Sequence, residues 1–81
     1  MTKRVFITGG ANGIGKAIVQ AFASEGLQVA FCDVDDLSGH RLETETGAVF
    51  IKADAGVKAE LESCMLDLFK KWGDIDILIN N

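Results

Sequence analysis

Apolar positions along this chain alternate between two rhythms. Arg4-Val5-Phe6-Ile7-Thr8 is a short β-branched run and predicts a first strand. After a glycine-rich stretch, Ile14, Ala17, Ile18, Ala21 and Phe22 recur at the spacing of one helical face, and Gly26 ends that pattern. Leu27 to Cys32, apolar except for Gln28, predicts a second strand covered on both faces. A weaker helix follows, capped by Asp35 or Asp36, running through about Glu45 and closed by Gly47; its apolar face rests on Leu37 and Leu42. Ala48 to Ala53 predicts a third strand. Leu61, Cys64, Met65, Leu68, Phe69 and Trp72 then make the most regular helical stripe in the chain. Lys70 and Lys71 suit the negative end of that helix, and Gly73 terminates it. Ile75 to Ile79 predicts a fourth strand, followed by Asn80-Asn81.

The order βαβαβαβ specifies an α/β fold. Strand–helix–strand connections of this length close as parallel, right-handed crossovers with helices on the faces of the sheet. The implied strand order is 3-2-1-4, and ligands bind such sheets at the switch between strands 1 and 4. No linker or repeat divides residues 1–81, which read as a single, incomplete domain. At 81 residues, folding buries only ~60–65% of the surface exposed by the unfolded chain.

Composition narrows the function classes. A net charge of −4, with the basic residues scattered, argues against nucleic acid and anionic membrane partners. No apolar run reaches the ~20 residues of a membrane span. The start, MTKRVFITGG, has no secretory h-region. Cys32 and Cys64 have neither disulfide-framework nor metal-ligand spacing. These features predict a cytoplasmic protein with two buried thiols and no metal site. His40 stands alone and reads as a solvated helix residue.

The residues with chemical content sit in the turn Thr8-Gly9-Gly10-Ala11-Asn12-Gly13-Ile14-Gly15, between the first strand and the first helix. Gly9 allows a tight exit from the strand, Gly13 a close backbone approach to a pyrophosphate, and Gly15 close packing of the helix. The N–H groups and positive dipole end of a helix beginning near Gly13 suit phosphate. Asp33 ends the second strand close to the ~20-residue offset expected for a carboxylate on the adenosine ribose. A 2′-phosphate there meets a like charge, a repulsion of roughly 1–4 kcal/mol at ~4 Å. With Asn12 rather than a basic residue in the turn, the pattern favours NAD over NADP.

TGGANGIG fits the TGxxxGxG pattern and, with the features downstream, resembles the short-chain dehydrogenase/reductase family. The resemblance implies the N-terminal half of a Rossmann doubly wound parallel sheet. It implies cofactor contacts from Thr8, Gly9, Asn12, Gly13, Ile14 and Gly15, and identifies Asp33 as the NAD-selecting acid. Asp54 in KADAGV resembles the acid that contacts adenine, with Ala55 beside it. ILINN is similar to the start of the family's NNAG motif, placing Asn80 near the adenosine ribose. The family's catalytic serine and YxxxK pair lie downstream of that motif, and this chain contains no tyrosine. No catalytic residue is therefore assigned here.

Three readings stay open on this pattern. The chain is the N-terminal part of an NAD-dependent oxidoreductase acting on an alcohol or carbonyl, inactive by itself. Or it is a non-catalytic module for the adenosine side of NAD. Or it is ordered by strand pairing, since Ile75-Asp76-Ile77-Leu78-Ile79 presents an apolar edge suited to self-association.

Overall fold

A computed structural model describes residues 2–81. Seven elements follow in order: β1 (Arg4–Thr8), α1 (Gly13–Ser24), β2 (Gln28–Asp33), α2 (Asp36–Thr46), β3 (Val49–Lys52), α3 (Lys58–Trp72) and β4 (Ile77–Ile79). The sheet has the order β3-β2-β1-β4, as expected, and every pairing is parallel. Val5, Phe6 and Ile7 on the central strand are fully buried, as are Ala30, Phe31 and Cys32 beside them. Burial on both faces explains why these strands read as continuous apolar runs rather than alternating ones.

Two cores sandwich the sheet. On one face, Val5, Ile7, Val29, Phe31 and Phe50 pack beneath α1 and α2 with Val19 and Leu42. On the other, Phe6, Ala30, Cys32 and Ala53 meet Cys64 and Leu68 of α3. The Phe31 and Phe50 rings lie 5.3 Å apart, a tilted pair of the kind that adds ~0.5–1.5 kcal/mol to area burial.

The helices depart from expectation in which side chains face inward. In α1, Gly15 and Val19 are buried and Ile18, Phe22 and Ala23 pack against them, whereas Ala17 and Ala21 face solvent and Ile14 is 75% exposed. Gly15 sets this phase: it lies against the carbonyl of Gly9, so the sheet-facing row runs through positions 15, 19 and 22. Ile14, one residue earlier, is rotated ~100° away.

In α2, Leu42 is buried but Leu37 is 70% exposed. The inward position is Gly39, where an added Cβ would collide with the Phe50 ring. The α2 cap is Asp35, whose side chain accepts from the Ser38 N–H at 3.1 Å. His40 is solvent-facing as expected, but one ring edge rests on Phe50 at 5.1 Å, between Asp36 and Glu43. In α3, Cys64 and Leu68 carry the buried face, while Phe69 lies at its exposed margin.

β4 is shorter than the expected Ile75–Ile79. Asp76 intervenes: its carboxylate accepts the Arg4 N–H at 2.8 Å and its own N–H donates to the Arg4 carbonyl at 2.9 Å. Ile75 drops into the α3 core instead of the ladder. No helix among the described residues is long and apolar enough to cross a membrane.

Candidate functional site

The turn between β1 and α1 is held from below by one carbonyl. Cys32 O, at the end of β2, accepts from the N–H groups of both Gly9 and Gly10, at 2.8 and 3.2 Å. The chain can reverse here because Gly9 adopts φ +66°. Gly10, to which the sequence pattern attached no role, lies so close to the Phe31 side chain that a Cβ would overlap it. Gly13 enters α1 at φ +58° with open space where a Cβ would stand. Gly15 fits because a Cβ there would strike the Gly9 carbonyl and the Asn81 amide. Its close packing is thus against the strand exit rather than the body of the sheet.

These restraints leave the N–H groups of Gly13, Ile14 and Gly15 without an acceptor among the described residues. Unpaired first-turn donors carrying the positive end of a helix dipole are suited to an anion. Asn12 stands at the N-cap without capping α1. Its side-chain amide instead donates to Asp35 Oδ2 at 2.9 Å, joining the turn to the start of α2. That bond, followed by the Ser38 N–H, holds the Asp35 carboxyl below the usual carboxylate range.

Asp33 faces the same turn. Its Oδ2 accepts from the Ala11 N–H at 3.1 Å and its Oδ1 from the Asp35 N–H at 3.0 Å. Asp33 and Asp35 therefore fasten residues 11 and 12 to the end of β2 through two separate carboxylates. Each Asp33 oxygen has a second lone-pair direction available, so these bonds do not preclude a bidentate contact with a diol.

A cleft of about 170 Å³ opens beside Asp33, lined by Gly9, Val34, Ala53, Asp54, Ala55, Gly56 and Asn81 as well as Asp33 itself. Asp54 is oriented locally: its Oδ1 accepts from the Gly56 N–H at 2.8 Å, and its N–H donates to Glu60 Oε1 at 3.0 Å. The cleft lies at the C-terminal ends of the strands, beside the β1–β4 switch. It carries two carboxylates and no basic side chain.

Of the residues singled out from sequence, Gly9, Asp33, Asp54 and Ala55 line this cleft together. Asn12, Gly13, Ile14 and Gly15 lie at the adjoining helix entrance. Thr8 is buried and supports the base of the site; its hydroxyl contacts Asn80 Oδ1 at 3.3 Å and accepts the Asn81 N–H at 3.0 Å. Asn80 thus meets Thr8 rather than lining the cleft. Asn81, given no role from sequence, lines it and donates through Nδ2 to the Gly9 carbonyl at 3.0 Å. The doubled asparagine after an apolar strand is the sequence signal for that contact.

Similar proteins share both sequence and fold. Mouse L-fucose dehydrogenase (Mus musculus) is 42% identical over 80 residues, an overlap covering 98% of this chain and 29% of that enzyme. Sorbitol dehydrogenase of Cereibacter sphaeroides is 38% identical over 81 residues, covering 98% of this chain and 32% of the enzyme. The chain thus spans less than a third of the length of these relatives. A short chain dehydrogenase from Bacillus anthracis str. 'Ames Ancestor' superposes with a TM-score of 0.91 at 30% identity, over 98% of this chain and 35% of the other. A 3-ketoacyl-(acyl-carrier-protein) reductase from Brucella melitensis, solved in complex with NADH, gives a TM-score of 0.88 at 29% identity, over 94% of this chain and 32% of that one. The short chain dehydrogenase profile matches residues 3–81, and the chain belongs to that family.

Proposed function

We propose that this chain forms the adenosine side of an NAD site in a short-chain oxidoreductase that moves hydride between NAD(H) and an alcohol or carbonyl. The observation that carries this reading is the junction of two features at one strand end: unpaired N–H groups at the start of α1 and the Asp33–Asp54 cleft beside them. Gly13, Ile14 and Gly15 would receive the pyrophosphate, with Thr8, Gly9 and Asn12 holding the turn in shape. Asp33 would accept hydrogen bonds from the adenosine ribose. Asp54 and Ala55 would border the adenine, and Asn80, through its contact with Thr8, would steady the floor beneath the ribose. Bound NAD would supply the hydride acceptor. The residues of this chain bind and orient, and with no tyrosine among them they are expected to give no turnover alone.

The cleft's charge supports NAD over NADP. Lys52 is the ladder partner of Asp33, but it lines a separate cleft on the α3 side with Glu60 and Asp67, and makes no ion pair with Asp33 among the described residues. A 2′-phosphate in the cleft would therefore meet the carboxylates of Asp33 and Asp54 and no basic side chain in its lining. Calorimetric titration with NAD, NADP, ADP-ribose and ADP tests the reading. NAD, ADP-ribose and ADP should bind within several-fold of one another, NADP roughly tenfold or more weakly, and Asp33→Ala should narrow that gap. Equal or tighter binding of NADP would overturn the preference; no binding of any of the four would overturn the site.

Self-association belongs to the same proposal. β4 is paired only on its β1 side among the described residues, and Leu78 on it is 49% exposed. A second copy of this chain presents the same short, uncharged edge Ile77-Leu78-Ile79 to pair with it.

A further inference from the structure

Asparagine is among the strongest N-cap residues, because its side-chain oxygen can accept from the second or third N–H of a helix. Asn12 stands at the N-cap of α1 with the extended backbone that capping uses, φ −142° and ψ 161°, yet it makes no cap bond. In α1 the second and third N–H groups belong to Ile14 and Gly15, and neither has an acceptor among the described residues. Asp35 is what turns Asn12 away. Asn12 Nδ2 donates to Asp35 Oδ2 at 2.9 Å, and the carboxylate is itself fixed. Its Oδ1 accepts the Ser38 N–H at 3.1 Å, while the Asp35 N–H donates to Asp33 Oδ1 at 3.0 Å. The bond from Asn12, followed by that from Ser38, holds the Asp35 carboxyl below the usual carboxylate range, so the acceptor is ionised at neutral pH. A hydrogen bond to an ionised acceptor is stronger than the neutral cap bond it replaces.

We propose that Asp35 is a positioning residue acting through Asn12: by holding the Asn12 amide it keeps α1 from capping itself, and so leaves the Ile14 and Gly15 N–H groups open to an anion. The inference rests on the reading of this turn as the pyrophosphate site and adds what keeps its donors unpaired. Without Asp35, rotation of the Asn12 side chain brings Oδ1 onto the Ile14 or Gly15 N–H, and a pyrophosphate has to displace it. One N-cap bond corresponds to about fivefold in affinity. Asp35 also places a negative charge near those donors, and losing that charge favours an anion. A single substitution therefore mixes two opposing effects, which a second substitution at Asn12 separates.

The test titrates the full chain with NAD and with ADP by calorimetry, comparing Asp35→Ser with the double variant Asn12→Ala/Asp35→Ser. Serine keeps an oxygen for the α2 cap but, one bond shorter, loses the reach to Asn12. Both variants lack the same charge and the same Asn12–Asp35 bond, and they differ in the competing amide. The double variant should bind both nucleotides about fivefold more tightly than Asp35→Ser. Amide hydrogen exchange without nucleotide gives an independent reading. Ile14 and Gly15 should exchange rapidly in the unmodified chain, one of them should be slowed in Asp35→Ser, and both should be rapid again in the double variant. Equal or weaker binding by the double variant, or amides that stay unprotected in Asp35→Ser, would overturn the inference and leave Asp35 as a fastening of the turn. Should the unmodified chain bind neither nucleotide, the pyrophosphate reading fails instead, and exchange at Ile14 and Gly15 still decides whether Asp35 withholds Asn12.

Discussion

Gly15 does its work by lacking a side chain. Its neighbours are the backbone carbonyl of Gly9 and the amide of Asn81, and a carbonyl at the end of a buried strand has little room to retreat. Gly15→Ala gains intrinsic helix propensity, worth up to ~1 kcal/mol in an unconstrained helix. Against that stands a methyl forced into backbone, a cost of ~1–3 kcal/mol or more. The collision should win, lowering the melting temperature by roughly 4–8 °C per kcal/mol for a domain of this size. The check is thermal denaturation of the variant; an unchanged or higher midpoint would show that the Gly9 carbonyl can give way. The glycine was legible in the sequence, as was its demand for close approach. The surface it approaches was not, because Gly9 and Asn81 reach that spot only once β1 and β4 have paired. The same holds for Asp33: its place at the strand end could be read from spacing, whereas its bonds to Ala11 and Asp35 depend on how the turn folds back.

Among the elements, the strands were easier to read than the helix faces. A strand buried on both sides announces itself through apolar residues at every position, and the extents read for β1, β2 and β3 lie within two residues of those observed. In α1 the hydrophobic spacing pointed to the stripe through Ile14, Ala17 and Ala21, whereas the buried row runs through Gly15 and Val19, because the fit of Gly15 against Gly9 and not the apolar count sets the phase. In α2 the buried Leu42 could be read from its apolar spacing, but the other inward contact is Gly39 against Phe50, which leaves no hydrophobic signal. The sequence also discloses the cap of α2. Asp35 accepts from the Ser38 N–H and the Asn12 amide, and both favour the carboxylate. Its folded pKa lies below its unfolded value of ~3.9, so the charged cap stabilises the fold fully above that value. The contribution is lost as pH falls through the lower, folded value. Asp35→Ser retains a capping oxygen but does not titrate in this range. Melting midpoints of the two proteins from about pH 6 down to about pH 3 should converge as acid removes the advantage of Asp35. A constant difference across that range would mean the Asp35 charge contributes nothing.

At the scale of the whole sheet, the described residues leave two unequal outer strands. At β3 the outer strand ends in Lys52, a charge that discourages further pairing, and Glu43 of α2 reaches over to accept the Phe50 N–H at 2.8 Å. At β4 no such device is present among the described residues: Ile77, Leu78 and Ile79 are uncharged, and neither face of that strand is fully covered. The strand is only three residues long, which limits the hydrogen bonds a second copy could add, so affinity must come mainly from apolar contact. Two chains of charge −4 also repel each other at a distance. These opposing terms give the association a recognisable salt dependence. Screening shortens the range of repulsion to ~10 Å at 0.1 M salt and ~3 Å at 1 M, while leaving apolar contact intact. Sedimentation velocity should therefore show weight-average mass rising with protein concentration, and rising further with added salt. Leu78→Lys places a charge at the most exposed position of the edge and should weaken association at least tenfold, with little change in the melting temperature of the monomer, because Leu78 is already half exposed. Association that weakens with salt would assign the contact to charged groups instead, and a wild-type chain that stays monomeric at every concentration would remove the β4 edge as an interface.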